Sequence, residues 1–206
     1  FLIEMDALHN LRAVDGYVTT SGAQMRSDQL YRSGAWERMT KADRDWFANS
    51  IKTVIDLRHP DEVLYASRFS LGEPPATLIP LSIFPAEISM EELTTEKNKL
   101  YGPGISTARY LHFLKGSGAQ RFARGVELIA EKDRYPVLIN CTAGKDRTGI
   151  LVALVMDLLG IDDDSIGAEY ERSNDGIEGL IKYHESIGRR PQGTLEDIRS
   201  RMETPA

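Results

Sequence analysis

The sequence predicts an α/β fold in which helices flank a mostly parallel central sheet. Three short apolar runs, at residues 53–57, 77–81 and 136–140, lack the strict alternation of a half-buried strand. Such runs are typical of parallel strands that are covered on both faces. Helical patterns separate the runs, and the last third of the chain is helical, which favours an α/β sandwich.

Capping residues indicate where the helices of the first half begin. Thr40 with Asp43 predicts a helix through Trp46 and Phe47, Pro60 a short helix through Ala66, and Ser89 with Glu92 a charged helix to about Leu100. After Gly102-Pro103-Gly104, apolar residues at helical spacing predict helices over 106–115 and 119–132.

The second half has one more predicted strand, at 136–140, and ends in helices. The apolar segment 150–159 predicts the helix after that strand. Three further caps predict the rest: Asp162 for 163–173, Asp175 for about 176–187, and Thr194 with Asp197 for about 195–203. All these elements fit a single domain over residues 1–206, since no composition break marks a linker.

Composition excludes several classes of protein. Hydrophobic residues make up 41% and charged residues 27% of the 206 residues, as in ordinary globular proteins, so collagen-like and disordered chains are excluded. The longest apolar stretch, 149–161, contains Asp157 and is too short to cross a bilayer, so we expect no membrane span. The net charge of −6 argues against nucleic acid as a partner. No particular oligomeric state is predicted.

The number of cysteines indicates the cellular compartment of the protein. Cys141 is the only cysteine, so no intrachain disulfide can form and a reduced, cytoplasmic setting is expected. Because the sequence begins at Phe1, we expect that its natural start has been trimmed. A secreted protein is therefore the alternative to a cytoplasmic one.

The segment 139–149 follows the third apolar run and precedes the helix at 150–159. In parallel α/β sheets, ligands bind at this kind of junction. Thr142, Ala143 and Gly144 are small enough for the backbone to curl, so that successive N–H groups converge on one anion at a helix N-terminus. We therefore expect the loop to bind a phosphate or sulfate ion.

Two cations in the loop favour the same ligand. Arg147 follows Cys141 by six positions, which lets its guanidinium lie across two phosphoryl oxygens. Lys145 is expected to add a flexible positive charge at the rim, or alternatively to be a solvated lysine. Together they favour a phosphorylated substrate.

The loop also contains candidates for nucleophile and acid. The helix dipole, the N–H groups and Arg147 favour the thiolate of Cys141, which can attack phosphorus and form a phosphocysteine. Thr148 can donate its hydroxyl to this sulfur, and Asp146 can protonate the leaving group, unless it braces Arg147 or caps the helix. The alternative for Cys141 is a small buried residue after a core strand.

Other residues are candidates for support. Asn140, Asp56 and Arg58 lie at strand ends beside the loop, although Asp56 and Arg58 can instead pair with each other. The four histidines, at 9, 59, 112 and 184, lack metal-binding spacing and are interpreted as surface or packing residues. We therefore expect no metal and no other cofactor.

The loop resembles the C-x5-R-[ST] motif of cysteine-dependent phosphatases. Its C-x-A-G-K-D-R-T-G form is similar to that of the bacterial atypical tyrosine phosphatases, whose phosphate loop is like those of phosphoinositide phosphatases. Further blocks match that family in order: His9–Arg12, Gly16–Tyr17, Leu30–Gly34 and Val54–Arg58.

The resemblance implies a cysteine-phosphatase-like fold and hydrolysis of phosphotyrosine, often with phosphoserine, phosphothreonine or phosphoinositides as well. It also implies that Asp146 is the general acid and that 82–118 forms a helical lid, although the apolar residues there can equally be core. The expected partner is thus a phosphorylated protein or a phosphoinositide.

Two departures from the family pattern leave alternatives open. Asn140 stands where the family has histidine, and 12–16 reads R-A-V-D-G where many members have R-D-L-G-G. Asparagine cannot carry a positive charge, so a catalytically weak phosphate-binding module is the main alternative. Sulfur transfer or arsenate reduction is less favoured, because the chain has no second cysteine to resolve an intermediate.

Overall fold

A five-stranded sheet forms the centre of the computed structural model, which describes residues 3, 5–67, 76–101, 107–189 and 195–202. Its strands are β1 (Arg12–Ala13), β2 (Leu30–Ser33), β3 (Thr53–Asp56), β4 (Thr77–Pro80) and β5 (Val137–Asn140). They lie in the order β1-β2-β5-β3-β4, and only the pairing of β1 with β2 is antiparallel. The predicted α/β class with a mostly parallel sheet is confirmed.

The helices within the described ranges largely follow the predicted starts. They are α1 (Lys41–Ser50), α2 (Pro60–Ser67), α3 (Met90–Tyr101), α4 (Thr107–Phe113), α5 (Ser117–Ala130), α6 (Asp146–Leu158), α7 (Asp163–Glu171), α8 (Ile177–Ser186) and α9 (Leu195–Met202), with 3-10 turns at Lys132–Arg134 and Arg172–Gly176. Thr40 and Asp43 form the predicted capping box of α1. Asp162 accepts the N–H of Ser165 at 2.9 Å and caps α7 as predicted.

Two of the predicted helix caps are not confirmed. The cap by Asp175 is wrong: a 3-10 turn runs through Gly176 and continues directly into α8, whose N-cap Gly176 has no side chain to accept a hydrogen bond. A continuous turn already satisfies the amide groups that a cap would serve. The predicted cap at Thr194 lies outside the described residues.

Two strands differ from the sequence prediction. β2 was not predicted, because Arg32 interrupts its apolar pattern, yet every residue of β2 is buried. β4 was expected to be covered on both faces, but it is an edge strand in which Leu78 is 41% exposed. An apolar run of this length does not distinguish an edge strand from a central one.

β5 is the central strand, and both faces of the sheet are buried around it. Val137 and Ile139 belong to the apolar cluster that includes residues of α5 and α6, whereas Leu138 belongs to the cluster that includes α1. Ser33 and Asp56 are the register partners of Asn140 on either side. The carboxyl ends of three parallel strands therefore meet where residue 141 begins the loop. Within the described ranges, every helix is too short or too polar to cross a membrane.

Candidate active site

The loop between β5 and α6 turns tightly at Gly144. This glycine has a φ of +66°, and a Cβ atom there would lie 2.3 Å from the carbonyl carbon of Ser33. Only glycine can adopt this backbone at such a close approach without strain. Cys141, the first residue of the loop, is 2% exposed and belongs to the main apolar cluster. The loop thus starts from a buried cysteine and ends at the N-terminus of α6.

Side chains from the first 32 residues hold the loop carbonyls. Nε2 of His9 contacts the carbonyl of Thr142 at 3.0 Å, and Nδ2 of Asn10 donates to the carbonyl of Gly144 at 3.0 Å. Nη2 of Arg32 donates to the same Gly144 carbonyl at 2.7 Å. Because the C=O and N–H of a planar peptide unit point in opposite directions, these bonds turn the following N–H groups to the other side of the loop. This is the arrangement that an anion site needs.

Burial sets the charge of His9, and one carboxylate pairs with both Arg32 and Arg12. Burial lowers the pKa of His9 to about 4, so its imidazole is neutral at neutral pH. Arg32 and Arg12 share one carboxylate: Nε of Arg12 lies 2.8 Å from Oε1 of Glu169, and Arg32 bonds Oε2 of Glu169. Burial and the charge of Arg32 lower the pKa of Arg12 to about 10, although Glu169 opposes this shift. Glu169 therefore compensates two buried charges behind the loop.

Arg147 is held by a carboxylate that the sequence did not single out. Nη1 of Arg147 lies 2.6 Å from Oε2 of Glu62, and Nη2 lies 2.7 Å from Oε1. Oε1 also accepts the hydroxyl of Thr142 at 2.5 Å, and Oε2 accepts the backbone N–H of His59 at 2.8 Å. A bidentate pair of this kind fixes the plane of the guanidinium.

The pairing shifts the pKa values of both Glu62 and Arg147. Burial would raise the pKa of Glu62, but the charge of Arg147 and the hydrogen bonds lower it to about 2. Burial alone would lower the pKa of Arg147, but the charge and hydrogen bonds of Glu62, together with Cys141 and Asp146, raise it above its usual range. The guanidinium is therefore charged, and it stands close to both Cys141 and Asp146.

Two tyrosine hydroxyls lie within hydrogen-bond distance of Asp146, the first residue of α6. The hydroxyl of Tyr110 in α4 donates to Oδ1 of Asp146, and the hydroxyl of Tyr170 in α7 lies 3.3 Å from the same oxygen. The carboxylate is thus contacted by residues from two other helices.

The rings of Phe84, Phe113 and Tyr110 form an aromatic wall beside the loop. The guanidinium carbon of Arg147 lies 5.5 Å from the centre of the Phe84 ring, which packs against Phe113 at 5.4 Å between centres. Tyr110 packs edge-on against Phe113 at 6.2 Å. All three rings come from described parts of the segment that was predicted to form a lid, so these parts border the site.

A model of the tyrosine phosphatase family matches residues 3–204. The chain belongs to this tyrosine phosphatase family. The predicted resemblance to bacterial tyrosine phosphatases is confirmed.

Relatives and solved structures extend the comparison. The triple specificity protein phosphatase PtpB of Mycobacterium tuberculosis is 33% identical over 188 residues, which cover 79% of this chain and 67% of the relative. A tyrosine-protein phosphatase of Nostoc commune is 31% identical, over 76% of this chain and 52% of the relative. The chain therefore spans between half and two thirds of these relatives' lengths.

Two solved structures are more distant. The Siw14 catalytic core has 14% identity and a TM-score of 0.45, with 97% of this chain and 92% of that chain covered. TpbA of P. aeruginosa has 19% identity and a TM-score of 0.36, with 87% and 89% covered.

Two expectations for the loop of this family member need correction. The hydroxyl of Thr148 is buried and has no hydrogen-bond partner among the described residues, so the expected bond to the sulfur of Cys141 is absent. Lys145 is only 5% exposed and is not a flexible rim charge. Its carbonyl accepts the N–H of Gly149 at 2.7 Å and bonds Arg32, which keeps the residue at the base of α6.

The three predicted support residues form a chain of contacts. Nδ2 of Asn140 donates to Oδ1 of Asp56 at 3.2 Å, and Arg58 lies 2.6 Å from Oδ2 of Asp56 and also pairs with Glu37. Arg58 is thereby linked to the loop through Asp56 and Asn140. Within the described ranges, no three His, Cys, Asp or Glu side chains are grouped so that they could hold a metal ion.

Replacing Glu62 with glutamine should lower kcat/KM about tenfold to hundredfold, the usual effect of losing a side chain that orients a functional group. The amide keeps the size of the carboxylate but turns N–H donors toward the N–H donors of Arg147. The measurement is steady-state kinetics on a phosphotyrosine peptide.

The matched control is Glu127→Gln, which removes a carboxylate from an exposed pair with Arg124 at 2.8 Å. We expect no change in kcat/KM for this variant, because exposed pairs contribute little. A folded Glu62→Gln protein with the activity of the unmodified chain would show that Arg147 needs no such support.

Proposed function

We propose that this chain is a metal-independent cysteine phosphatase that acts on phosphotyrosine through a phosphocysteine intermediate. The observation that carries the proposal is the charged Arg147, held in a bidentate pair by Glu62 at 2.6 and 2.7 Å beside Cys141 and Asp146. This pair uses one N–H from each terminal nitrogen of the guanidinium. Nη1 also donates to the carbonyl of Leu57 at 3.4 Å, so the second N–H of Nη2 and the N–H of Nε remain for a phosphoryl group.

In the first step, the Cys141 thiolate attacks phosphorus as the bond from phosphorus to the leaving oxygen breaks. The N–H groups of residues 142–147 and the guanidinium of Arg147 stabilise the charge on the three equatorial oxygens. Asp146 gives its proton to the leaving oxygen, so that a neutral phenol or alcohol departs. The products of this step are the alcohol, a phosphocysteine and an Asp146 carboxylate.

In the second step, a water molecule attacks the phosphocysteine. The Asp146 carboxylate takes one proton from the water as the oxygen–phosphorus bond forms and the sulfur–phosphorus bond breaks. Inorganic phosphate leaves, and the thiolate and the protonated Asp146 are restored. No metal or other cofactor enters either step, because the loop and Arg147 supply the positive charge.

Phosphotyrosine is the proposed first substrate because the aromatic wall of Phe84, Phe113 and Tyr110 stands beside the loop. A phenyl ring buries its apolar faces there while its phosphate reaches the loop. The name of the mycobacterial relative indicates triple specificity, and we propose phosphoserine, phosphothreonine and phosphoinositides as further substrates. The segment 82–118 is the proposed lid.

The test is a comparison of rates on phosphotyrosine, phosphothreonine and phosphoinositide substrates, with and without a chelator. The proposal expects turnover that a chelator leaves unchanged and that is fastest on phosphotyrosine. Binding of inorganic phosphate without any turnover would favour the phosphate-binding module, and loss of activity with the chelator would contradict the mechanism.

Replacing Asp146 with asparagine should lower kcat about 10²–10⁴-fold for substrates with poor leaving groups, which is the usual range for general acid–base catalysis. The alkaline limb of the pH–rate profile should become flat, because no proton donor remains to be lost. The measurement is kcat against pH on phenyl phosphate and p-nitrophenyl phosphate. The same proportional loss on both substrates, with an unchanged profile, would reject Asp146 as the acid.

A further inference from the structure

Three oxygen atoms from three helices meet at Asp146. Tyr110 bonds Oδ1 of Asp146, the hydroxyls of Tyr110 and Tyr170 lie 2.5 Å apart, and Tyr170 lies 3.3 Å from Oδ1. When Asp146 is ionised, the two hydroxyls offer two protons for three contacts, so only two hydrogen bonds exist at once. The shorter contacts select a series in which Tyr170 donates to Tyr110 and Tyr110 donates to Asp146.

Both tyrosines are fixed and stay protonated. Their rings pack edge-on, with centres 6.3 Å apart and planes at 88°. A Cβ atom on Gly149 would lie 2.8 Å from Cδ2 of Tyr170, so this glycine lets the Tyr170 ring lie against α6. Burial, followed by the charge of Asp146, raises the pKa of both hydroxyls above the usual range. They therefore remain hydrogen-bond donors throughout the pH range of an enzyme assay.

We infer that Tyr110, backed by Tyr170, is a positioning residue for the acid that protonates the leaving group. This inference rests on the proposed function, in which Asp146 gives up its proton. Tyr110 holds Oδ1, which leaves Oδ2 to face the leaving oxygen. As the proton moves to that oxygen, negative charge develops on Asp146, and a donor already in place stabilises it without reorganisation.

The inference connects the proposed lid with the chemistry. Tyr110 lies in α4, within the segment 82–118. The position of α4 therefore determines whether the Tyr110 hydroxyl can donate a hydrogen bond to Asp146. The charged and titratable groups near this cluster are Arg147 on α6, with Cys141 and Glu62 beyond it, and Arg32 from β2, which acts on Tyr170. The substitution of Tyr110 leaves Arg147 in place.

The test replaces Tyr110 with phenylalanine, which keeps the ring and removes the donor. One hydrogen bond to a charged group corresponds to a loss of about tenfold in kcat on phenyl phosphate, and the loss on p-nitrophenyl phosphate should be much smaller. The alkaline limb of kcat should move to higher pH, because the carboxylate that forms has lost a hydrogen-bond donor. KM should not change, and Tyr170→Phe should act in the same direction with a smaller effect.

Two controls separate positioning from packing. Tyr135→Phe removes a hydroxyl that donates to the carbonyl of Ile129 at 2.6 Å, and should leave the pH profile unchanged. In an Asp146→Asn background, Tyr110→Phe should have no further effect, since Tyr110 acts through Asp146. Thermal unfolding confirms that each variant is folded.

Two results would overturn the inference in different ways. If the unmodified chain has Cys141-dependent turnover, but Tyr110→Phe or a folded Tyr170→Phe leaves its alkaline limb and leaving-group dependence unchanged, the inference is wrong and the proposed function stands. If the unmodified chain has no Cys141-dependent turnover, the proposed function fails and the inference fails with it.

Discussion

Replacing Cys141 with serine is expected to abolish turnover, lowering kcat by at least about 10⁴-fold, as the loss of a nucleophile does. A hydroxyl in the same position stays protonated and cannot attack phosphorus without a base. Affinity for inorganic phosphate should be kept or improved, because the loop is intact and the negative charge of the sulfur is gone. Steady-state kinetics and calorimetric titration with phosphate measure the two effects.

Cys141→Ala serves as a second variant for this prediction, since it removes any nucleophile at the position. Both variants should be equally inactive and should unfold at similar denaturant concentrations. Substantial turnover in either variant would mean that Cys141 is only a small buried residue after β5, which was the alternative interpretation of the sequence.

Replacing Glu169 with glutamine is expected to lower the free energy of unfolding by about 3–5 kcal/mol, the usual cost of removing one partner of a buried ion pair. Glu169 is 2% exposed and contacts Arg12 and Arg32, both fully buried. The neutral amide leaves two guanidinium charges without compensation. Because domains of this kind are stable by only about 5–15 kcal/mol, the loss is large and is measured by urea unfolding.

The matched control for Glu169 is Asp45→Asn, which breaks an exposed pair with Lys41 at 2.6 Å. Its effect on unfolding should stay below about 0.5 kcal/mol. Activity should also fall in folded Glu169→Gln protein, because Arg32 holds the carbonyl of Gly144. A Glu169→Gln chain as stable as the Asp45→Asn chain would contradict the assigned role of this network.

The parts of the site that could be predicted from sequence lie close together in the chain. Cys141, Asp146 and Arg147 share one strand–loop–helix segment, and each has a chemical reason for its spacing within that segment. β3 and β5 were predicted for a similar reason, since four consecutive buried residues in each carry their own signal. A local pattern is sufficient where the structure it encodes is local.

The missed residues come from elements that only the topology brings together. Glu62 contacts Arg147 from 85 positions away, and Tyr110 contacts Asp146 from 36 positions away. Neither has a distinctive local pattern. Asn10 appeared only in a family block, and His9 was interpreted as a surface or packing residue, although both contact the loop from 133 or more positions away.

β2 was missed because a buried arginine is rare in a strand interior and becomes acceptable only with a partner. That partner, Glu169, lies 137 positions from Arg32. The edge position of β4 likewise depends on strand order, which a single apolar run does not encode. Both errors therefore concern information that is distributed along the chain.

The most direct test of the account is rapid-quench mass spectrometry of the chain during turnover of a phosphotyrosine substrate in the presence of a chelator. The account predicts that, within the first turnover, the peptide containing Cys141 gains the mass of one phosphoryl group on sulfur, and that Asp146→Asn slows both its formation and its decay. Turnover at the full rate with no phosphoryl group on Cys141 at any quench time would contradict it.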